Sequence, residues 1–412
     1  MKLELLQKSD GNSRSDRGLA QLRVTPLSNV HEGSVWQLLA QTRFALFPLL
    51  LAFGLCTLAM GGPWVWAGGA LLLVAQVVFD EPGGNYLDRV AKPNALFLET
   101  VLYAAPALIA LATLAMLLHA ADAGTPMAAL ARRLGIGADG AAWWIEAAGA
   151  VFSAGIFAGC GGVAFAHELS HRRSRRDWLL AQALLARCMH PSIALEHIFG
   201  HHVNVGTPLD PSTPPRGMGF WRYLPRAVAG EVKGAWTIEK TRLSRRGRPV
   251  VSAENRFLQG LWLQAALLAG AFALAGFSGL AALVLSGVYG LLVIELGNYV
   301  THYGLVRAPG QPVRPRHSWN APRFGSTSTL INSSRHSHHH ASTATPYWNL
   351  AILEGAPIHR HGIALMAFIA LVPPLWFKAI KPQIEDWDAR MASPEELALA
   401  RSGQAPSAMP VS

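Results

Sequence analysis

The chain has 412 residues, of which 51% are hydrophobic and only 15% are charged. Soluble domains are usually about 25% charged, so this composition excludes an ordinary soluble protein and favours a membrane protein. The net charge of +10 would suit a nucleic-acid-binding protein. However, the basic residues lie between apolar segments rather than in one patch, so we expect contact with lipid and no nucleic acid partner.

The cysteines and the N-terminus exclude two further classes. Cys56, Cys160 and Cys188 are far apart and form no C-x-x-C pair. Neither a disulfide framework nor a thiolate-bound metal is therefore expected, and any metal must be held by nitrogen and oxygen. The segment MKLELLQKSDGNSRSDRG lacks an apolar core, so a cleaved secretory signal is not expected either.

Apolar segments long enough to cross a bilayer recur along the chain, since a spanning helix needs about 20 residues. The pattern predicts an all-α integral membrane protein with six transmembrane helices. The six segments are Phe44–Met60, Trp64–Phe79, Thr100–His119, Trp143–Ala166, Phe257–Phe277 and Leu280–Val300. A seventh apolar segment, Ile363–Phe377, is interrupted by Pro373 and Pro374 and is expected to be buried or interfacial.

Lysine and arginine gather in the N-terminal segment and between the fourth and fifth spans. The positive-inside rule places these segments, together with the C-terminal third, on the cytoplasmic side. The predicted organisation is a partly disordered cytoplasmic segment (1–42), a six-helix membrane domain (43–385) and a flexible tail (386–412). Within the membrane domain, residues 167–255 and 302–362 are predicted to form a cytoplasmic cap of helices and loops.

Most of the sixteen histidines lie in four motifs, HELSH, EHIFGHH, GNYVTHYG and RHSHHH. Every motif is predicted to lie at the cytoplasmic face. Neutral imidazole suits iron, zinc, copper and nickel, and four or five nitrogens fill the protein positions of one ion. The motifs therefore predict two metal ions. The nine candidate ligands are His167, His171, His197, His201, His202, His302, His336, His339 and His340.

Other polar residues between the motifs are candidates to orient these ligands, because a ligating histidine usually donates its second N–H to a polar partner. His338 is expected to face away from the metals, and His317 is expected to support a ligand rather than to bind. The candidate supporting residues are Glu168, Glu196, Asp210, Glu295, Asn298, His317 and His338. Isolated histidines are interpreted as surface or helix-end packing; they are His31, His119, His190, His359 and His361.

HELSH also fits H-E-x-x-H, the zinc-protease pattern, in which Glu168 would be the general base. Such a site needs only one further ligand, so it leaves most of the candidate histidines unexplained. A histidine-rich metal transporter is a second alternative. Transport sites lie near mid-membrane, whereas these motifs collect beyond the helix ends.

The order HELSH, EHIFGHHVNVGTPLDP, LPRAVAGEVKGAWTIEKTRLSRRG, GNYVTHYGL, HSWN and RHSHHHA resembles the integral-membrane alkane 1-monooxygenases and the xylene-type methyl monooxygenases. The likeness covers about four-fifths of the chain, from Arg43 to Lys381. The stretch Tyr223–Gly247 favours the alkane branch.

This resemblance implies a bacterial inner-membrane enzyme with its active site on the cytoplasmic side and two non-heme irons bound by the nine histidines. Such an enzyme uses O2 and two electrons to hydroxylate the terminal carbon of an alkane that enters from the bilayer. No cysteine quartet is present for a fused rubredoxin. A soluble rubredoxin or a ferredoxin-type donor, with its NAD(P)H reductase, is therefore the expected electron source.

Three departures from the family pattern bear on the substrate. His338 stands where the family usually has Asp, Thr301 stands where an acid is common, and Asn332–Ser334 replaces a more apolar pairing. Methyl-group hydroxylation of alkyl-aromatics thus remains an alternative, as does fatty-acid desaturation. Desaturases typically carry H-x-x-H-H in both later motifs, whereas the second motif here is H-x-x-x-H-H, which favours hydroxylation.

Overall fold

The computed structural model describes residues 34–137 and 141–402, and this part of the chain forms helices and loops without a β-strand. The all-α prediction is confirmed. The disorder predicted for the first 30 residues falls outside the described residues. The α-helices are α1 (Ser34–Thr42), α2 (Leu46–Met60), α3 (Ala67–Asp80), α4 (Ala95–His119), α5 (Pro126–Leu134), α6 (Ala141–Phe157), α7 (Val163–Ser170), α8 (Arg175–Arg187), α9 (Ile193–Glu196), α10 (His202–Asn204), α11 (Phe220–Ser244), α12 (Arg256–His302), α13 (Phe324–Thr329), α14 (His336–Ala341), α15 (Ile363–Ala370), α16 (Pro373–Arg390) and α17 (Pro394–Arg401).

Shorter helical turns join several of these helices. Ala158–Gly162 and His197–His201 are π-helical turns, in which the backbone bond runs from residue i+5 to residue i. Turns of 3-10 helix form at Arg43–Ala45, Gly62–Trp66, Pro315–His317 and Tyr347–Asn349.

Five helical stretches in the described part are long and apolar enough to cross a membrane. Large apolar side chains on their outer surfaces are exposed, for example Val74 (56%), Leu111 (51%) and Trp262 (75%). Exposed apolar side chains along helices of this length are typical of protein in contact with lipid. The chain is therefore a multi-pass membrane protein. The stretches are Gln37–Met60, Gly62–Asp80, Ala95–His119, Ala142–Ser170 and Arg256–His302.

The fifth stretch, α12, contains the predicted fifth and sixth spans and is interrupted by Gly276, with φ 76° and ψ −161°. Its first residue, Arg256, lies over the ring of Phe199, and its last residue, His302, contacts His336. The middle of α12 instead contacts Asp122, whose backbone N–H donates to Ala275. Both ends of α12 thus lie on the side of the histidine motifs, and the chain reverses at Gly276.

The ends of the other long helices also lie either on the side of the histidine motifs or on the opposite side. On the side away from the motifs, His119 at the end of α4 contacts Glu146 (2.7 Å) and the carbonyl of Leu58 (2.8 Å). On the side of the motifs, Asp80 at the end of α3 accepts a hydrogen bond from Ser326 N–H (2.7 Å).

The segment Ile363–Phe377, which prolines interrupt, is not among the candidate spans. Its residues Met366 and Trp376 are buried in the same apolar cluster as Tyr299.

Residues 386–402, which belong to the segment predicted to be a flexible tail, form the end of α16 and the helix α17. Ser393 precedes α17 as its N-cap residue, and its hydroxyl and the Glu396 carboxylate accept hydrogen bonds from one another's backbone N–H groups. The fully buried Glu396 also accepts hydrogen bonds from Arg316 (3.0 Å) and from His317 Nε2 (2.8 Å). The tail is thereby fastened to the loop that follows α12.

That loop in turn holds the histidine-rich helix α14. Ser337 donates its hydroxyl to the carbonyls of Pro315 (2.7 Å) and Ser318 (2.8 Å). Its backbone N–H donates to the side-chain oxygen of Asn320 (3.0 Å). A continuous set of contacts therefore runs from Glu396 to the residue that follows His336.

We predict that Gly276→Ala lowers the melting temperature of the detergent-solubilised protein. A positive φ is strained by roughly 1–2 kcal/mol for a residue with a Cβ, and this Cβ would meet the Asp122 carboxylate. Gly270→Ala is the matched control, since a Cβ there meets nothing within 4 Å. Equal melting temperatures for the two variants would contradict the account of the reversal.

We predict that Glu396→Gln lowers the free energy of unfolding by about 1–3 kcal/mol at pH 7. Burial opposes ionisation of Glu396, but hydrogen bonds from His317 and Arg316 outweigh it and lower the pKa to about 2. A lowered pKa stabilises the fold above the ordinary carboxyl pKa and stops doing so as the pH falls towards 2. The difference from wild type should therefore shrink between pH 5 and pH 3, whereas exposed Glu395→Gln should have little effect at either pH. A difference that does not vary with pH would contradict this role.

Candidate metal centre

The nine predicted ligands come together as two adjacent groups. Within each group, one nitrogen from every imidazole lies within 4.8 Å of the corresponding nitrogens of the others. The inner group is completely buried, whereas three members of the outer group (His167, His171 and His202) are partly exposed. The inner group consists of His201, His302, His336 and His340. The outer group consists of His167, His171, His197, His202 and His339.

Distances within the groups fit ligands that converge on an ion. In the inner group, His336 Nε2 lies 2.9 Å from His302 Nε2 and 3.1 Å from His340 Nε2. In the outer group, His202 Nε2 lies 3.0 Å from the Nε2 atoms of both His197 and His339. Metal–nitrogen bonds of about 2.0–2.1 Å place neighbouring ligand atoms about 3 Å apart. The Nε2 atoms of His167 and His171 are buried without a hydrogen-bond partner.

A π-helical turn decides how EHIFGHH is shared between the groups. In an α-helix, His197 and His201 would lie on one face, as their four-residue spacing suggests. The turn His197–His201 is instead π-helical, and the N–H of His202 bonds to the carbonyl of His197. Residues five apart therefore align, so His197 and His202 enter the outer group and His201 enters the inner one.

The helix α14 also serves both groups, because its histidines project in three directions. His336 and His340, four apart, belong to the inner group, and His339 belongs to the outer one. His338 lies outside both groups, and its Nδ1 accepts a hydrogen bond from the N–H of Ala351 (2.9 Å).

Burial disfavours the charged form of an imidazole, and the neutral form is the one that binds metal. It lowers the pKa of His171 and of His336 to about 3, with a further contribution from His201. For His197 and His202, burial and the neighbouring imidazoles hold the pKa well below the usual value. Neutral nitrogens thus point at one another across short distances, a donor set that suits a soft to borderline transition-metal cation.

Asp210 orients one of these ligands. Its carboxylate accepts a hydrogen bond from His201 Nδ1 (2.9 Å), which leaves Nε2 free to face the inner group. The backbone N–H of Ser212 and the hydroxyl of Thr213 donate to the same carboxylate and fix it in turn. This is the contact expected of a residue that supports a metal ligand.

The other candidate supporting residues have different partners. Glu168 pairs with Arg172 (3.4 Å), and His317 pairs with Glu396 as described above. One oxygen of Glu196 and the amide nitrogen of Asn298 are buried without a hydrogen-bond partner. Glu295 contacts His190 rather than a member of either group.

The contacts of two buried residues, Arg335 and His190, were not predicted from the sequence. Arg335 is completely buried beside His336 and donates to the main-chain carbonyls of Tyr86, Asp88 and Leu350. Because these acceptors are backbone atoms, no sequence pattern marks the contact. The interpretation of His190 as surface or helix-end packing was wrong, since its buried ring contacts two glutamates.

The remaining isolated histidines have ordinary packing partners. His119 is buried against Glu146, His359 stacks on Trp319, and His361 contacts Glu81 (2.8 Å). His31 lies outside the described residues.

A mainly apolar cavity of about 400 Å³ reaches both groups. His167 and His197 of the outer group and His336 of the inner group lie in its wall. Asn298, Thr301, Ser333 and Ser334 add polar groups, and the exposed side chains of Trp221 and Phe368 lie in the part of the wall at the protein surface. The remaining wall is formed largely by apolar side chains such as Leu73, Val163, Leu292 and Val293. The candidate metal centre therefore faces a site suited to an apolar molecule.

Comparison with known proteins supports this assignment. The alkane 1-monooxygenase of Acinetobacter baylyi is 37% identical over 224 residues, which are 53% of this chain and 55% of that protein. Alkane 1-monooxygenase 1 of Pseudomonas aeruginosa is 33% identical over 60% of this chain and 66% of its own length. The matches thus span somewhat more than half of these relatives.

A longer match is to the xylene/toluene monooxygenase hydroxylase component of Pseudomonas putida, which is 29% identical over 90% of this chain and 96% of its own length. The predicted resemblance to membrane alkane and xylene monooxygenases is confirmed. Residues 141–366, more than half of the chain, match the family model described as fatty acid desaturase. The protein therefore belongs to the fatty acid desaturase family.

Proposed function

We propose that this protein is a membrane-bound, non-heme di-iron monooxygenase that converts the terminal methyl group of an alkane to a primary alcohol. The observation that carries the proposal is the convergence of nine imidazoles, in two groups, on an apolar cavity. The overall reaction takes one hydrocarbon, O2, two electrons and two protons, and it gives one alcohol and one water.

Iron suits this centre better than zinc does. An unactivated C–H bond offers no acidic proton or dipole, so acid–base groups or a Lewis acid cannot break it. Bound iron would supply the redox chemistry with O2. The nine histidines would hold two irons, Asp210 would fix the orientation of His201, and the apolar wall would align the hydrocarbon and exclude water.

We place six crossings in the membrane and the metal centre on the cytoplasmic side. Reversal of α12 at Gly276 supports the count, because residues 256–275 and 277–302 are each long enough to span. Most of the basic residues lie on the side of the histidine motifs, which the positive-inside rule makes cytoplasmic. Arg132 and Arg133, in α5, are exceptions on the opposite side. The corresponding location is the inner membrane of a bacterium.

Electrons would come from an external donor that docks near the outer group. His171 and His202 are partly exposed, whereas the inner group is completely buried. Arg173 and Arg175, which follow His171 in the chain, are exposed and would attract an acidic protein. A soluble rubredoxin, or a ferredoxin-type donor with its NAD(P)H reductase, has the required chemistry.

Methyl hydroxylation of an alkyl-aromatic compound is the second candidate, because the xylene/toluene relative matches nine-tenths of the chain. The same centre and cavity would serve either substrate. Desaturation ranks third, since the relatives named above are hydroxylases. The zinc-protease reading of HELSH is weaker still, because His167 and His171 converge with three further histidines.

Incubation of the purified protein with octane, O2, NADH and a rubredoxin–reductase pair tests the proposal. We expect 1-octanol, measured by gas chromatography. Conversion of xylene but not of octane would favour the second candidate, and formation of octene would favour desaturation. Absence of any oxidised product from an iron-loaded protein would contradict all three.

We predict that His302→Ala loses about one iron per chain and at least about 100-fold in turnover, because three imidazoles remain in the inner group. The variant should still insert in the membrane. His361→Ala is the matched control, since His361 lies outside both groups and contacts Glu81. Unchanged iron and turnover in His302→Ala would remove this residue from the ligand set.

We predict that Glu168→Gln keeps turnover within about tenfold of wild type, since its carboxylate pairs with Arg172 and the proposed reaction needs no base there. A general base usually contributes about 10²–10⁴-fold, so a protease would lose far more. Loss of all activity with intact iron content would contradict this prediction and would favour Glu168 as the general base of a hydrolase.

A further inference from the structure

A third group of potential ligands lies outside the nine-histidine centre. His190 Nε2 is 2.7 Å from Glu231 Oε2 and 3.5 Å from Glu295 Oε1. The three ligand atoms lie within 4.8 Å of one another, and all three side chains are at most 2% exposed. This cluster of one imidazole and two carboxylates is described below as the HEE group.

The outward-facing atoms of the HEE group are held by hydrogen bonds. Ser212 donates its hydroxyl to Glu231 Oε1 (2.7 Å), and Tyr223 donates its hydroxyl to Glu295 Oε2 (3.1 Å). His190 Nδ1 lies 3.2 Å from the hydroxyl oxygen of Ser192. Each side chain is thus oriented by a neighbour and turns its remaining polar atom towards the other two, as supported metal ligands do.

The HEE group places two carboxylates against a single imidazole. Among the described ion pairs, neither carboxylate contacts a lysine or arginine. Glu295 Oε1 is buried without a hydrogen-bond partner, and so is one oxygen of the neighbouring Glu196. Carboxylates buried close to one another repel, and a cation between them would remove that repulsion.

The three residues of the HEE group come from three parts of the chain. Two of these parts lead to ligands of the nine-histidine centre, and the third packs against both. His190 precedes the turn that contains His197 and His201, and Glu295 lies two turns before His302 in α12. Glu231 lies in the middle of α11, which packs against both. An ion held here would fix the spacing of these elements.

We propose that His190, Glu231 and Glu295 bind a third divalent metal ion with a structural role. One nitrogen and two oxygen ligands suit Mn²⁺, Fe²⁺ or Zn²⁺. The ion would stand where the His190–Glu231 hydrogen bond now lies. It takes no part in the reaction proposed above, and the proposal does not depend on that reaction.

The test is a metal count. Full-length protein in detergent is incubated with Mn²⁺, freed of unbound ion, and analysed for iron, zinc and manganese together. We expect wild type to hold one more ion per chain than Glu231→Gln. Glu239→Gln is the matched control: Glu239 is a buried carboxylate on the same helix, but it is paired with Arg242 and Arg256, so this variant should match wild type.

Ser212→Ala provides a second variant that keeps all three ligands and removes only a supporting hydrogen bond. It should weaken Mn²⁺ binding by about tenfold. Equal metal counts in wild type and Glu231→Gln would overturn the proposal and identify the HEE group as a buried hydrogen-bonded ion pair. Equal Mn²⁺ affinity in wild type and Ser212→Ala would also overturn the proposal.

Discussion

The constraint on which the rest of the structure depends is the packing of nine imidazoles in two groups, with nitrogens of neighbouring rings about 3 Å apart. Hydrogen bonds can satisfy such a set only in part, and the unpartnered Nε2 atoms of His167 and His171 mark the deficit. Two cations would satisfy the whole set. Every surrounding element serves to hold this arrangement: α12 delivers His302, the π turn divides His197 from His201, and α14 contributes three histidines with a spacing of three and four.

The membrane explains where this centre lies. Polar side chains are costly inside lipid, so the histidines collect at the ends of the apolar helices, while the cavity between the helices extends the apolar environment to them. A hydrocarbon already dissolved in the bilayer would enter such a cavity without crossing water. The tail helix α17 completes the arrangement through Glu396, because the loop that it fastens supports α14 from the side.

Much of this arrangement could be predicted from the sequence, because apolar length and histidine type and spacing are local signals. The five described spanning stretches and the nine convergent histidines follow from them. The division of EHIFGHH could not be predicted, since one inserted π turn shifts the facing pair from His197 and His201 to His197 and His202. The role of Glu396 and the cluster around His190 were missed for another reason: each depends on partners distant in sequence, His317 in one case and Glu231 and Glu295 in the other.

The most direct test of the central claim is iron stoichiometry combined with X-ray absorption at the iron edge, on wild-type protein produced with ample iron. The account predicts at least two irons per chain and a first coordination shell dominated by nitrogen, with distances near 2.1 Å. One zinc and no iron, or an iron shell dominated by oxygen, would contradict it.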